Sequence, residues 1–203
     1  MKKIILMIAL ALCIGTMVNA QNVSQAEKVL DKTAAVIGHR GGAKASFSVN
    51  NEKLGAINGT IAIKGNKFHA STGKAIIWYN GKTQWTYLQK TNEVNVSTPT
   101  QAKQMLMNPY TFIHIYKTGY SMGMTNSGDN YLVHLTAQNQ KRTVQELYIL
   151  INKSNYVPKQ IRMREGKAWT TINVSNFQTQ NLSNSLFAFN SKDFPSAEVV
   201  DLR

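Results

Sequence analysis

The sequence predicts a mainly β (α+β) fold: an incomplete antiparallel β-barrel, or strongly curved sheet, of about eleven strands with an N-terminal helix and a helical lid insertion. Three observations support this class. Short runs that alternate apolar and polar residues recur over residues 43–177, turn residues separate them at steady intervals, and the pattern breaks once, at 100–117. Alternation with period two is typical of half-buried strands, and evenly spaced turns favour consecutive hairpins in one sheet.

The first 20 residues resemble a secretory leader. Met1-Lys2-Lys3 supplies a positive start, an apolar run begins at Ile4, and Val18-Asn19-Ala20 ends in a small residue. These are the three parts of a cleavable signal peptide. The apolar run is too short to cross ~30 Å of hydrocarbon comfortably. We therefore expect cleavage after Ala20, a single domain over residues 21–203, and export from the cytoplasm.

Composition limits the chemistry and the partners of the mature chain. Cys13 lies in the leader and is the only cysteine, so disulfides, cysteine-bound metals and thiol catalysis are not expected. The large Leu12 before it disfavours lipidation. The formal net charge of +13 comes from 23 Lys and Arg against 10 Asp and Glu, scattered without a tight cluster. Such a balance favours anionic membrane surfaces or acidic partners; nucleic acid is not an expected partner for an exported protein.

One amphipathic helix is predicted directly after the leader. Asn22 is a candidate N-cap with Gln25 three residues later, and Gly38 with Gly41-Gly42 ends the segment. The apolar residues at helical spacing are Val23, Ala26, Val29, Leu30, Ala34 and Ile37.

Six strands should follow as a meander. The turn signals between them include Lys64-Gly65-Asn66-Lys67 and Asn80-Gly81-Lys82. The predicted strands begin with the alternating segments around Phe47 and Ile61, and continue over Lys67–Ser71, Ile76–Tyr79, Gln84–Leu88 and Asn92–Val96.

The remaining chain is predicted as a helical insertion, five strands and an extended tail. Asn108-Pro109 separates two short helices, at Thr100–Met107 and Tyr110–Lys117. The tail, at Leu186–Phe189 and Phe194-Pro195, is expected to be a final extended segment packed on the sheet. The five strands are Tyr120–Met124, Tyr131–Leu135, Val144–Ile151, Val157–Arg164 and Trp169–Phe177.

The sequence contains no recognisable catalytic constellation. The histidines, His39, His69, His114 and His134, show no metal-ligand spacing. The ten acidic residues form no evident acid/base pair. Gly81-Lys82-Thr83 imitates the end of a phosphate-binding loop, but Ile76 stands where that loop needs glycine. We expect a binding protein that is not an enzyme and has no cofactor and no metal.

Methionine is concentrated in and after the insertion. Met105, Met107, Met122 and Met124 fall within twenty residues of one another, with Leu106 and Phe112 nearby. Unbranched methionine side chains adapt to variable apolar partners. Core filling explains any one of them, whereas their clustering in a segment that interrupts a sheet also fits a movable cover over an apolar interior.

One pair of segments carries a family resemblance. Residues Gly59–Phe68 form a glycine-led apolar strand and an Asn-Lys-Phe start to the next strand, and residues Trp78–Tyr87 read WYNGKTQWTY. Together with the leader and the amphipathic helix, this arrangement resembles the outer-membrane lipoprotein carrier family, the LolA-like periplasmic chaperones. The resemblance extends through Asn108-Pro109 to Val199-Val200-Asp201.

The resemblance implies a half-barrel whose apolar cavity accepts the acyl chains of lipoproteins. Its expected partners are acylated lipoproteins, an inner-membrane ABC transporter that uses the ATP, and an outer-membrane acceptor. Well-studied members carry an arginine in the turn at Lys64–Phe68 that helps to hold the lid closed, and this chain has none there. The expected cavity residues are Phe47, Ile61, Ile63, Phe68, Trp78, Trp85 and Tyr87, and the expected lid residues are Met105, Leu106, Phe112, Met122 and Met124.

Two alternatives stay open at the level of sequence. The same fold could bind another lipid or hydrophobic ligand, because a fold does not determine its ligand. It could also bind a protein partner as a sensor domain through the same surface.

Overall fold

The computed structural model describes residues 22–51, 55–100 and 114–203. Its one α-helix in these residues, α1, spans residues 22–37 and ends where the Gly38 amide donates a 2.8 Å hydrogen bond to the Ala34 carbonyl. The predicted cap, Asn22, also bonds to the sheet, because its Oδ1 accepts a 3.0 Å bond from the Met124 amide. The start of the helix is thereby fixed against a strand.

In the described residues, twelve strands follow and form one sheet. They are β1 (Ala43–Asn51), β2 (Gly55–Lys64), β3 (Lys67–Thr72), β4 (Ala75–Tyr79), β5 (Gln84–Leu88), β6 (Glu93–Ser97), β7 (Tyr120–Ser127), β8 (Asn130–Ala137), β9 (Glu146–Asn152), β10 (Pro158–Glu165), β11 (Ala168–Thr179) and β12 (Glu198–Asp201).

The sheet is two meanders joined side by side. Its order is β12-β6-β5-β4-β3-β2-β1-β11-β10-β9-β8-β7, so β1 and β11 form the seam. All pairs are antiparallel except β12 with β6. The edge strands β12 and β7 do not pair with each other, which leaves a curved open sheet and not a closed barrel. The predicted mainly β curved sheet with an N-terminal helix is confirmed.

Helix α1 crosses one face of the sheet, which we call the concave face. Its apolar side packs on strands β7–β10 and forms the main core, where Leu30, Val133, Leu135, Leu147 and Ile151 are fully buried. Alternation along each strand explains this composition, because every second side chain of β8 and β9 points to the same face. We call this covered region the filled half of the concave face.

The opposite, outer face of β2–β6 is covered by the C-terminal tail. The predicted extended tail is wrong in part, because Asn184–Phe187 and Ser191–Asp193 are 3-10 helices and only Glu198–Asp201 is a strand. Side chains of Ser183 and Asn190 cap these turns, and such local capping competes with extended structure. Phe187 is fully buried by the outer face, against Ala62 and Leu182.

Most of the predicted helical insertion lies outside the described residues. Of its second helix the structure describes only the end, where Ile115–Lys117 form a 3-10 turn. Within the described ranges, no helix combines the length and the apolarity that crossing a membrane requires.

Candidate functional site

An apolar cavity of about 290 Å³ lies in the concave face beside the filled half. Strands β1–β4 and β10–β11 form its walls, and we call this region the hollow half. Its lining side chains are overwhelmingly aliphatic or aromatic: Ile37, Ala43, Ala45, Phe47, Val49, Ile61, Ile63, Phe68, Ala70, Ile77, Pro158, Ile161, Met163, Ile172, Val174 and Phe177, with Lys44 and Ser46 beside them.

Strand register brings these residues together. Ala45 lies opposite Ile61, which in turn lies opposite Ala70 on β3, so one transverse row joins three strands. The small alanines alternate with isoleucine and leave space that larger side chains would fill. The row therefore forms a concavity instead of a packed layer.

A glycine positions the largest side chain of the floor. Phe47 lies opposite Gly59 across the β1–β2 pair. A Cβ atom at residue 59 would lie 2.6 Å from Phe47 Cζ, closer than side chains tolerate. Gly59 therefore lets the Phe47 ring lie across the neighbouring strand at the cavity wall.

The C-terminal part of α1 closes one end of the cavity. Ala34 and Ile37 pack with Ile63, and Ile61 and Phe177 contact the same cluster. At the other side, Met163, Ile161 and Ile172 contact both the cavity and the main core. The hollow half is thus bounded on two sides by well-packed protein.

The described lining has no group suited to acid/base chemistry. It contains no carboxylate and no imidazole, and Lys44 is its one charged residue. His69, on the neighbouring strand β3, alternates to the outer face, where burial and then the charge of Lys44 hold its pKa below the usual value. Among the described residues, no three His, Cys, Asp or Glu side chains lie close enough to hold a metal ion. The arrangement is suited to binding apolar groups by burial.

Four of the seven predicted cavity residues line the cavity. These are Phe47, Ile61, Ile63 and Phe68, which the alternation of β1–β3 places on one face.

The other three, Trp78, Trp85 and Tyr87, are on the outer face, so this part of the prediction is wrong. Trp78 and Trp85 lie opposite each other in the β4–β5 pair, whereas their neighbour Ile77 faces the cavity. The Trp78 ring lies 5.5 Å from those of both Phe189 and Phe194 in the tail. The Tyr87 ring lies 4.6 Å from Phe194.

The predicted lid residues divide into two groups. Met122 and Met124 are strand residues of β7, and they pack against the main core in the filled half. They are therefore not part of a cover over the cavity. Met105, Leu106 and Phe112 lie outside the described residues.

Sequence reasoning missed the wall that β10 and β11 contribute. Ile161, Ile172 and Val174 alternate along these strands, which was visible in the sequence, but the seam between β1 and β11 joins distant segments. A pairing across that separation leaves no local signal in a single sequence.

The chain is similar to known proteins in both sequence and structure. Residues 16–167, about three-quarters of the chain, match the family model described as outer membrane lipoprotein carrier protein LolA. An uncharacterised conserved protein from Thermus thermophilus superposes with a TM-score of 0.59 at 15% identity, over 87% of this chain and 99% of that one.

Two further solved structures are similar. A DUF1329 family protein from Desulfovibrio piger gives a TM-score of 0.50 at 9% identity, over 82% of this chain and 97% of that one. A LolA superfamily protein from Nitrosomonas europaea gives 0.46 at 11%, over 81% and 97%. At these identities the Thermus and Desulfovibrio structures show the fold alone.

No curated protein matches the sequence. The family model, by contrast, covers most of the chain, and the resemblance of the Gly59–Phe68 and Trp78–Tyr87 segments agrees with it. The chain belongs to the family of the outer membrane lipoprotein carrier protein LolA.

Proposed function

We propose that this protein is a periplasmic carrier that holds acyl chains of lipoproteins in the hollow half and carries them between membranes. It would receive its cargo from an inner-membrane ABC transporter and release it to an outer-membrane acceptor. The observation that carries the proposal is a cavity of about 290 Å³ with an almost wholly apolar lining, in a chain of the carrier family. The proposal includes removal of residues 1–20 as a leader and a single domain over residues 21–203.

The energetics fit a carrier. Each buried methylene group contributes about 0.8 kcal/mol. At about 30 Å³ for a group the size of water, the cavity accepts about ten methylenes, which gives about 8 kcal/mol as an upper bound before the cost of association. That bound corresponds to about micromolar affinity, and the association cost makes the net affinity weaker, so a bound chain can be released without catalysis.

The cavity volume also supports a narrower candidate ligand. A cavity of about 290 Å³ holds only part of one long acyl chain, whereas a triacylated lipoprotein brings three. A free lipid that inserts part of one chain comes closer to this volume than three chains do. We therefore retain a hydrophobic-ligand carrier as the second candidate function.

The proposed cover remains a sequence-based part of the hypothesis. Met105, Leu106 and Phe112 follow β6, which belongs to the meander that walls the cavity. Flexible apolar side chains of this kind suit a surface that must accept ligands of different shape. We propose that these three residues shield the bound chain from water.

Lipid extraction from protein purified out of the periplasm, followed by mass spectrometry, tests the proposal. Co-purification of an acylated lipoprotein is the expected result. A small lipid alone would favour the second candidate. An empty cavity together with a stable protein partner would contradict both, and would support the alternative of a sensor domain.

A further inference from the structure

The two ends of the sheet carry different charge. Because adjacent strands are antiparallel, the start of β1 meets the ends of β2 and β11, and the start of β3 meets the end of β4. The start of β10 likewise meets the end of β9. The turns and strand ends on this side therefore share one end of the molecule.

This end is rich in cations, and we call it the basic end. Lys64 and Lys67 flank the β2–β3 turn and lie directly opposite each other, and Lys32 of α1 reaches it through a 3.0 Å hydrogen bond to the Tyr156 hydroxyl. Its members are Lys32, Arg40, Lys44, Lys64, Lys67, Lys82, Lys153 and Lys159.

The charge of the basic end is not compensated. Lys64 Nζ donates to the Leu182 carbonyl at 2.7 Å, Lys67 Nζ to Asn184 Oδ1 at 3.2 Å, and Lys153 Nζ to the Gly128 carbonyl at 2.8 Å. These partners are neutral. Among the described residues, none of the eight cations forms an ion pair with a carboxylate.

Few acids lie at this end. Asp129 lies in the β7–β8 turn there, and Asp201 is paired with Arg203. Of the ten acidic residues in the sequence, all but Glu52 are in the described part.

The opposite end, which we call the mixed end, interleaves the two signs. Here Glu146 accepts hydrogen bonds from Arg164, and Lys117 lies 3.9 Å from Asp31. Its cations are Lys74, Lys90, Lys117, Lys141, Arg142, Arg164 and Lys167, and its acids are Asp31, Glu93, Glu146, Glu165 and Glu198. Among the described residues assigned to the two ends, the positive balance is thus concentrated at the basic end.

We propose that the basic end docks on an anionic phospholipid surface. The cations are distributed over turns from β4 to β9, seven neighbouring strands that span ~30 Å at about 4.8 Å each. An array of this breadth meets several headgroups at once, which a compact anion-binding pocket does not. Each lysine or arginine near an anionic bilayer contributes about 1 kcal/mol, which raises the binding constant about fivefold.

Docking in this orientation places next to the membrane the end of the cavity that the C-terminal part of α1 covers. Ala43, Ile63, Phe68 and Phe177 lie at the strand ends of the basic end, and all four line the cavity. The docking itself does not depend on an acyl ligand, so it can be tested apart from the proposed function.

Vesicle co-sedimentation of the purified protein tests the docking. The vesicles are phosphatidylcholine alone, or equal parts phosphatidylcholine and phosphatidylglycerol. The wild-type protein should bind only the anionic vesicles at low salt and should be released at about 0.5 M salt, where charges are screened within a few ångströms. Failure to bind, or equal binding to both lipids, would overturn the proposal, and would leave an acidic protein as the partner of this end.

Two quadruple variants locate the contact. Arg40, Lys44, Lys82 and Lys159 are exposed at the basic end, and Lys74, Lys90, Lys141 and Lys167 are exposed at the mixed end. Changing each set to Gln removes the same four charges. The basic-end variant should lose binding at least about tenfold and up to about a thousandfold, and the mixed-end variant less than about threefold. Equal losses of binding in the two variants would mean that the total charge, and not the basic end, controls binding. The melting temperatures of both variants should equal that of the wild type, which shows that both are folded.

Discussion

The filled and hollow halves of the concave face use the same kinds of residue for opposite purposes. In the filled half α1 lies over the sheet, and Leu30, Val133 and Leu135 are fully buried. In the hollow half, Phe47 and Ile61 stay half-buried around a cavity. Both halves show the same period-two pattern. The difference therefore comes from where the helix lies and from small residues such as Ala45 and Ala70, and not from hydrophobicity.

The largest difference between the two halves should appear in how much the loss of one apolar side chain lowers the free energy of unfolding. Replacement of Leu30 by Ala removes a fully buried side chain and should lower the free energy of unfolding by about 3 kcal/mol. Ile61→Ala in the hollow half should cost only about 1 kcal/mol, because Ile61 already borders empty space. Urea unfolding of both variants measures the difference. Equal losses would mean that the hollow half is packed as tightly as the filled half.

A hydrogen bond attaches α1 to the filled half. The Tyr116 hydroxyl donates to Asp31 Oδ1 at 2.5 Å, and hydrogen bonds to charged groups contribute about 1.5–3 kcal/mol. Tyr116→Phe should therefore lower stability by about 1.5 kcal/mol, measured by chemical unfolding at neutral pH. Thr118→Val, in the connection that follows, is the control and should change stability much less.

The same contact predicts that the stability of the protein decreases at alkaline pH. Burial, followed by the hydrogen bond to Asp31, raises the pKa of Tyr116 above its ordinary value. A raised pKa means that the folded state prefers the neutral phenol. The stabilisation is thus complete below about pH 10, where an unfolded tyrosine begins to ionise, and is lost as the pH rises through the raised value. The difference in the free energy of unfolding between the wild type and Tyr116→Phe should therefore become smaller above about pH 10. A difference that does not change with pH would mean that the Tyr116 hydroxyl is not the source of the stabilisation.

The hollow half should be sensitive to added volume. Ala70 faces the cavity, and Ala70→Phe should reduce the affinity for a fluorescent fatty acid at least about tenfold, since it occupies the volume of several methylenes. Ser71→Phe introduces the same ring one position along, on the outer face, and should leave affinity unchanged. If both variants bind as well as wild type, the ligand lies elsewhere.

The smallest expected effect is on the outer face of the filled half. Arg164 donates hydrogen bonds to Glu146, and this contact, the strongest influence on that carboxyl, holds the pKa of Glu146 below the usual range. The Arg164–Glu146 contact stabilises the folded state above about pH 4.3, and this stabilisation is lost as the pH falls through the lowered pKa of Glu146. Glu146→Gln should cost about 0.5 kcal/mol at pH 7 and nothing in strong acid. Glu165→Gln, at a residue with no ion pair among the described residues, is the matched control.

Local patterns in the sequence were sufficient for the strands and for part of the site. The turn at Asn80 forms because its Oδ1 accepts hydrogen bonds from the amides of Lys82 and Thr83, a contact that depends only on neighbours. Phe47 and Ile61 were placed on the face that lines the cavity because their strands alternate clearly. The pairing of β1 with β11 depends on residues far apart and was not predictable in this way.

The error at Trp78, Trp85 and Tyr87 has a specific cause. Residues Ile76–Tyr79 are apolar throughout, so alternation does not select a face. Both faces of β4 are in fact used, one by the cavity through Ile77 and the other by the aromatic tail through Phe194. The tail was expected to pack on the sheet as an extended segment, and that expectation did not identify the face that it covers.

The seam between β1 and β11 has a consequence for how the protein reaches its native state. Ala43 pairs with Thr179, and Ala168–Thr179 is the last antiparallel strand to leave a ribosome or a translocon. Closing so long a loop is entropically slow. The first meander can form hairpins early, but the cavity gains its second wall only after nearly the whole chain has emerged. A chain delivered N-terminus first thus remains incompletely folded until nearly all of it has emerged.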